Sequence, residues 1–295
     1  MRTRLVFALF LIFQLSLCFG QDHLPITIGK KDSLTSKLLK EERELLIYLP
    51  PNYSPQTKYP VIYLLDGESQ FHFFTGIVSH LSNSYVMPEV IVVGIVNTKR
   101  NRDLTPTFDA SHFDKGNGGG ETFTAFLETE LLPYVEAHYS TAPYRMLVGH
   151  SLGGLLVVNT LLKHPSLFTS YVAVDPSLWW NHMSLLGKSA KRLSEKQLNG
   201  KTLFMAISNS LPAGMNDTAK AKKDTTNATL GFRAPFLFES QLKQAAHKNL
   251  RWRSKYYPSE FHGSIPLIGS YDALKYGFES YRSPSFQVLP GSTSV

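Results

Sequence analysis

Short apolar runs recur along the chain, and prolines, glycines or charged residues bound most of them. Runs with few polar residues are typical of strands that are covered on both faces of a parallel sheet. The predicted strands of this kind are Val61–Leu65, Val90–Val96, Met146–Val148, Tyr171–Val174 and Leu203–Ile207, and Glu44–Leu49 is predicted as an earlier strand that ends at two prolines. Polar and apolar residues alternate from Trp252 to Tyr257, which predicts a later strand at an edge of the sheet.

Helical spacing occurs between these strands. From Glu121 to His138 one face of the predicted helix is apolar, and Pro133 predicts a kink in it. Further helices are predicted over Leu155–Lys163, from Arg233 and around Tyr271–Tyr281. Strands that alternate with helices predict an α/β fold, with a mostly parallel central sheet and helices on both faces. No break in composition is long enough to be a linker between domains.

The first 20 residues have the pattern of a secretory signal peptide. Two arginines precede an apolar run from Leu5 to Leu17, and Cys18 and Gly20 supply small residues before a cleavage site. We therefore expect a secreted or periplasmic chain with a single domain over residues 21–295. The alternative is a lipid anchor on Cys18, which is disfavoured because Leu17 before it is not small. The run is too short to span a bilayer as a mature helix, and no second apolar run of transmembrane length follows.

Composition narrows the classes of partner and cofactor. The formal net charge is +7, but the lysines are scattered and no basic stripe is interleaved with aromatic residues, so nucleic-acid binding is not expected. Cys18 is the single cysteine, so the mature chain has no disulfide, thiol nucleophile or cysteine-based metal site. No spacing of residues predicts a metal or nucleotide site. We expect no cofactor, and a small molecule as partner.

The stretch Gly149–Gly153 connects a predicted strand to a predicted helix and reads Gly-His-Ser-Leu-Gly. A serine on such a tight turn is held in a strained conformation that exposes its hydroxyl, and the flanking glycines leave room for the close chain crossing. The N-terminus of the following helix adds free N–H donors and a partial positive charge. The motif indicates Ser151 as a catalytic nucleophile; the alternative is a glycine-rich turn that only packs.

A serine nucleophile needs a base, which in such a fold comes late in the chain. His262 lies in the loop after the predicted strand Trp252–Tyr257 and is therefore the predicted base. His150 is the neighbour of the nucleophile, where an orienting or packing role fits it better than proton transfer. The predicted oxyanion hole combines the backbone N–H of Leu152 with that of Glu68, although the Glu68 loop is alternatively a simple turn.

Four segments occur together and in order: Leu64–Glu68, Gly149–Gly154, Pro176–Asn181 and His262–Pro266. They resemble the esterase D family of α/β-hydrolases, and the Ser-Leu-Trp-Trp sequence at 177–180 is especially similar to its siderophore-esterase branch, which hydrolyses trilactone and related ester backbones. The resemblance extends over roughly residues 25–282. It implies the α/β-hydrolase fold, the same nucleophile and base, and the Leu152 and Glu68 amides as the oxyanion hole.

Two further segments supply candidate substrate-binding residues. Arg100 and Arg102 belong to a stretch that matches a family pattern near the rim of the active site. These arginines either place positive charge near an acidic substrate or stabilise the conformation of a loop through Arg–Asp ion pairs. Trp179 and Trp180 either stack on an aromatic or sugar substrate or pack in the core.

The acid that would orient the base departs from the family pattern. The family commonly places Glu or Asp directly after the strand that here ends at Ile207, but this chain has Ser-Asn-Ser at 208–210. The candidates are Asp175, Asp217, Asp224 and Glu260, and the sequence-based preference is Asp224. Some siderophore esterases work with a Ser–His dyad, so an acid is not required by the resemblance.

Three classes of function follow from these residues. The first is a serine carboxylic-ester hydrolase that acts through an acyl-enzyme. The second is an acyltransferase that passes the acyl group to a sugar or lipid alcohol. The third is a non-catalytic binding protein, against which the intact serine, histidine and elbow argue. No feature of the sequence identifies the natural ester.

Overall fold

The computed structural model describes residues 26–194, 198–245 and 250–281. The predicted signal peptide and the choice between cleavage and a lipid anchor on Cys18 lie outside these residues and stay predictions. In the described part of the chain, no helix is long and apolar enough to cross a membrane.

A single eight-stranded sheet forms the centre of the molecule. Its strands are β1 (Lys30–Ser36), β2 (Glu41–Tyr48), β3 (Tyr59–Leu64), β4 (Ile91–Ile95), β5 (Thr141–His150), β6 (Ser170–Val174), β7 (Lys201–Ser208) and β8 (Leu250–Tyr257). They lie in the order β1-β2-β4-β3-β5-β6-β7-β8. Only the two pairs that include β2 are antiparallel, among the pairs in the described sheet. The predicted mostly parallel sheet and the α/β-hydrolase fold are confirmed.

Helices cover both faces of this sheet. They are α1 (Gly67–Asn83), α2 (Arg100–Leu104), α3 (Gly120–Phe126), α4 (Leu132–His138), α5 (Leu152–Lys163), α6 (Trp180–Met183), α7 (Leu186–Leu193), α8 (Thr218–Lys223), α9 (Leu230–Gln244) and α10 (Ile265–Gly277). Along β3, Val61 and Tyr63 pack with α3, α5 and α9 in one core, whereas Ile62 and Leu64 pack with α1 and α10 in the other. This two-sided burial explains why the predicted strands contain so few polar residues.

Three local features differ from or refine the sequence prediction. The edge strand β1 was not predicted, because its sequence is polar and most of its side chains are partly or fully exposed. The expected kink near Pro133 is a π-helical turn, Leu127–Leu131, between α3 and α4. Proline has no N–H to continue the regular hydrogen-bond pattern, and a π turn is one way to accommodate such a break. Helix α10 begins at Ile265, earlier than the predicted 271–281 helix.

The candidate catalytic residues lie at one edge of the sheet. Ser151 follows β5, Asp175 follows β6, and His262 lies in the loop between β8 and α10. The carboxyl ends of neighbouring parallel strands meet at the same edge, which is where ligands bind in open α/β sheets. The fold therefore brings together residues from three distant parts of the chain.

Candidate active site

Ser151 occupies a sharp turn between β5 and α5. Its φ of 59° and ψ of −118° lie in a region that side-chain-bearing residues rarely adopt. A Cβ on Gly149 would lie 2.5 Å from the carbonyl oxygen of Gly153, so only glycine fits where the strand and helix cross. The Ser151 N–H donates to the carbonyl of Val174 at 3.0 Å, which ties the turn to β6. The predicted elbow therefore has the backbone geometry that exposes a serine hydroxyl.

His262 lies between the serine and a carboxylate. Its Nε2 is 3.0 Å from Ser151 Oγ, and its Nδ1 is 2.6 Å from Asp175 Oδ2. These are hydrogen-bond distances, and they align a nucleophile, a base and an acid in one chain of contacts. The arrangement can transfer the serine proton to His262 while Asp175 holds the ring in the required tautomer.

The preference for Asp224 as the acid is wrong. Its carboxylate accepts hydrogen bonds from the backbone N–H and hydroxyl of Thr226, on an exposed turn. The two remaining candidates are also bound elsewhere: Asp217 caps α8 by accepting from Ala219 and Lys220, and Glu260 accepts from the hydroxyl of Ser264. Asp175 is the candidate that contacts His262 in the structure.

The Ser-Asn-Ser segment after β7 supports Asp175 instead of supplying an acid. The N–H and hydroxyl of Ser208 donate to the two oxygens of Asp175 at 2.9 and 2.7 Å, and the Ser210 hydroxyl lies 3.3 Å from Oδ2. Burial raises the pKa of the Asp175 carboxyl, but the hydrogen bonds from His262 and Ser208 outweigh burial and hold the pKa below its usual value. The carboxylate is therefore charged at neutral pH, although only 7% of the residue is exposed.

The two predicted oxyanion donors lie at neighbouring helix N-termini. Leu152 is the first residue of α5, and Glu68 is the second residue of α1. N–H groups in the first turn of a helix have no partner within that helix. A Cβ on Gly153 would lie 3.2 Å from Asp66 Oδ2, so the residue that caps α1 lies directly against the start of α5. This placement is consistent with the predicted hole, whose role in binding an oxyanion stays a prediction.

Both candidate arginines are engaged in ion pairs. Arg100 binds both oxygens of Asp66, through Nε at 2.6 Å and Nη2 at 3.0 Å. Arg102 binds Glu41 and Asp103, each at 2.6 Å. The hydrogen bond to Arg102 lowers the pKa of Glu41 to about 2. The structure thus favours the loop-pairing interpretation of both arginines over substrate binding.

The two tryptophans have different environments. A cavity of about 260 Å³ beside the triad is lined by Ser151, Asp175, Pro176, Ser177, Trp179, Ser210, Gly231 and His262. Trp179 is 37% exposed and forms part of this wall, which supports its candidate role. Trp180 is 2% exposed, and its Nε1–H donates to the carbonyl of Thr107 at 2.9 Å. The substrate-binding assignment of Trp180 is therefore wrong, because its indole is a core side chain.

His150 packs against the predicted base. Its Nε2 lies 2.9 Å from the carbonyl oxygen of His262, and the two ring centroids are 4.5 Å apart. Burial is the main cause that lowers the pKa of His150 to about 4, and repulsion from the His262 ring in its protonated form adds to it. A neutral His150 with its proton on Nε2 donates to the His262 backbone, which fits the predicted orienting role.

Sequence reasoning did not single out Ser177 as a site residue. Its Oγ lies 3.2 Å from Ser151 Oγ, and its backbone N–H donates to the Ser151 carbonyl at 2.9 Å. The available signal was its position two residues after Asp175, in the segment that resembles the siderophore-esterase branch. Among the residues that the structure describes, no group of three or more His, Cys, Asp or Glu side chains is arranged to hold a metal ion.

Comparisons with known proteins support the resemblance. Residues 36–255 match the esterase family model, described as "Putative esterase". Ferri-bacillibactin esterase BesA of Bacillus subtilis (strain 168) is 33% identical over 182 residues, 55% of this chain and 63% of BesA. Siderophore triacetylfusarinine C esterase of Aspergillus fumigatus is 28% identical over 155 residues, 48% of this chain and 51% of the relative. The matched region thus spans less than two thirds of the length of either relative.

A solved structure matches more of the chain. An IroE-like serine hydrolase from Shewanella oneidensis is 35% identical and has a TM-score of 0.78, covering 88% of this chain and 82% of that one. The BES protein from Bacillus cereus, 24% identical with a TM-score of 0.73, shares the fold over 89% of this chain and 100% of its own. The family model and the Shewanella structure together show that this chain belongs to the esterase family of α/β-hydrolases, in a group similar to siderophore esterases.

Proposed function

We propose that this protein is a serine carboxylic-ester hydrolase that acts through an acyl-enzyme. The supporting observation is the continuous chain of contacts from Ser151 Oγ through both nitrogens of His262 to Asp175. If His262 were only a solvated surface residue, or if the turn at Ser151 only packed, neither the contact between Ser151 and His262 nor the contact between His262 and Asp175 would be needed. The buried, charged carboxylate and the strained serine are costly for stability, and such features concentrate at functional sites.

In the acylation step, Ser151 Oγ attacks the ester carbonyl carbon and its proton moves to His262 Nε2. Asp175 accepts a hydrogen bond from Nδ1–H and stabilises the imidazolium that forms. The carbonyl oxygen becomes an oxyanion, which accepts hydrogen bonds from the Leu152 and Glu68 backbone N–H groups. The C–O bond to the alcohol then breaks, and His262 returns the proton to the leaving oxygen.

In the deacylation step, water takes the place of the alcohol. His262 removes a proton from this water as its oxygen attacks the acyl carbon, and the same backbone donors bind the second oxyanion. The tetrahedral intermediate collapses with loss of Ser151 Oγ, which recovers a proton from His262. The carboxylic acid product leaves and the enzyme returns to its starting state.

We propose ester-linked siderophores, or compounds with similar ester backbones, as the substrate class. The names of the relatives support this class. The cavity of about 260 Å³ is small compared with the roughly 300–1,000 Å³ of typical ligand pockets. A large substrate would therefore place only one ester arm beside Ser151 and leave the rest outside the cavity, beyond the partly exposed Trp179 in its wall.

A panel of esters tests this proposal. The purified protein is incubated with short acyl, aryl, acetyl-sugar and trilactone esters, with and without added sugar or lipid alcohols. We expect release of carboxylic acid, with the trilactone among the best substrates by kcat/KM. Absence of turnover on every ester would contradict the hydrolase proposal. Acyl transfer to an added alcohol faster than acid release would instead assign the protein as an acyltransferase.

We also propose that the protein is exported by the signal peptide predicted over residues 1–20. The basic start and the apolar run Leu5–Leu17 support this proposal. N-terminal sequencing of the exported protein is expected to begin at Gln21. A lipid-modified Cys18 as first residue would contradict cleavage after Gly20 and make the protein membrane-tethered.

A further inference from the structure

The nucleophile has a second hydroxyl beside it. Ser177 Oγ lies 3.2 Å from Ser151 Oγ, and only 3% of Ser177 is exposed. The backbone N–H of Ser177 also donates to the Ser151 carbonyl at 2.9 Å, so the two residues are held together independently of either hydroxyl. Ser177 lines the cavity that contains the triad. Its hydroxyl is therefore placed against a reacting atom and shielded from bulk water.

The protons in this network fix the direction of the Ser177 hydrogen bond. In the neutral form of His262, which is the form that acts as a base, the ring carries its single proton on Nδ1 and donates it to the charged Asp175 carboxylate. Nε2 is then an acceptor, and the single hydroxyl proton of Ser151 is donated to it. Ser151 has no second proton for Ser177, whereas its oxygen has a free lone pair. In this state of the enzyme, the contact between the two hydroxyls is consequently a donation from Ser177 to Ser151.

We propose that Ser177 is a catalytic residue that donates a hydrogen bond to Ser151 Oγ through the reaction cycle; this inference rests on the proposed function. In acylation, the Ser151 proton moves to His262 while Oγ forms its bond to the acyl carbon. The Ser177 donor stabilises the negative charge that builds on Oγ before that bond is complete. The hydrogen bond from Ser177 also restricts the χ1 rotamer of Ser151. Because the backbone of Ser151 is fixed by the turn, χ1 is the torsion that still decides where Oγ lies.

The same donor acts on the leaving atom in deacylation. When the second tetrahedral intermediate collapses, the bond between the acyl carbon and Ser151 Oγ breaks and its electron pair stays on Oγ. His262 supplies the proton that this oxygen finally holds. Ser177 donates to the oxygen as charge develops, so loss of its hydroxyl is expected to slow both halves of the cycle.

Three substitutions at Ser177 separate hydrogen-bond donation from packing. Ser177→Ala removes the donor, Ser177→Cys keeps a similar shape with a weak donor, and Ser177→Thr keeps the hydroxyl. Each keeps the backbone N–H that holds Ser151. The control is Ser184→Ala, because the Ser184 hydroxyl contacts Thr107 Oγ1 at 3.3 Å, outside the proposed catalytic residues. The measurements are kcat, KM, melting temperature and the rate of fluorophosphonate labelling at Ser151.

We expect Ser177→Ala and Ser177→Cys to lower kcat and the labelling rate about 10- to 100-fold, the range for a hydrogen bond to a charged group. KM and melting temperature should stay near wild type, Ser177→Thr should recover most of kcat, and Ser184→Ala should match wild type. An Ala or Cys variant with wild-type kcat would overturn the role of Ser177 and leave the hydrolase proposal intact. Failure of the hydrolase proposal is distinguishable, because the wild type itself would then release no carboxylic acid from the esters or would transfer the acyl group to an added alcohol faster.

Discussion

Asp175→Asn is expected to lower kcat on a simple aryl ester by about 10⁴-fold, with little change in melting temperature. The amide has nearly the same shape as the carboxylate but presents an NH₂ donor as well as an oxygen. It no longer fixes the proton on Nδ1 of His262 or stabilises the imidazolium that forms during the reaction. A ring that carries its proton on Nε2 cannot accept the Ser151 proton, so most of the enzyme would rest in an inactive tautomer.

The other candidate acids provide matched controls for this prediction. Asp224→Asn, Asp217→Asn and Glu260→Gln make the same chemical change at carboxylates that are bound to Thr226, to the start of α8 and to Ser264. We expect each of them to keep kcat within about tenfold of wild type. A loss of less than about tenfold in Asp175→Asn as well would mean that the enzyme works as a Ser–His dyad. A large loss in Asp224→Asn alone would contradict the structure's placement of the acid.

The sheet could be predicted from the sequence where burial is complete. The strands β3, β4, β6 and β7 and the second half of β5 are largely buried, and their apolar runs can therefore be recognised in the sequence without knowledge of the neighbouring strands. The edge strand β1 has a polar sequence, and it becomes a strand through pairing along β2 from Lys30 to Ser36. That pairing depends on a partner and leaves no periodic signal in the chain.

The site could be predicted only where its chemistry is local. The elbow needs Gly149 and Gly153 next to Ser151, so its signal lies within five residues. The acid depends instead on the register between β6 and β7, in which Val174 pairs with Ala206. This register places Asp175 beside Ser208, a relation between residues more than thirty positions apart that no motif records.

The environments of two adjacent tryptophans could not be predicted from the sequence either. Trp179 and Trp180 are chemically identical and adjacent, yet one lines the cavity and the other lies in the core. The chain turns sharply after them, because Asn181, His182 and Met183 all have positive φ. Hydrogen bonds from Trp180 and Asn181 to Thr107 fix which indole points inward. Such tertiary contacts decide the outcome, and residue type does not.

Ser151→Ala and His262→Ala are each expected to lower kcat by about 10⁶-fold, and the double variant is expected to be no slower than either single variant. The two side chains act in one proton transfer, so removal of either one disables the other. Ser151→Ala should keep a melting temperature near that of wild type, since the serine hydroxyl contributes chemistry rather than packing. The measurements are kcat for each variant and labelling of the wild type by a fluorophosphonate probe.

The pattern of losses distinguishes a catalytic unit from two independent residues. If Ser151 and His262 acted separately, their effects on the activation free energy would add, and the double variant would be far slower than either single variant. The residual activity of all three variants should come from the Leu152 and Glu68 donors and from substrate binding, which these substitutions leave in place. Probe labelling at a residue other than Ser151 would refute the nucleophile. A His262→Ala variant with most of its activity would refute the base, because the 3.0 Å contact between Nε2 and Ser151 Oγ would then have no part in proton transfer.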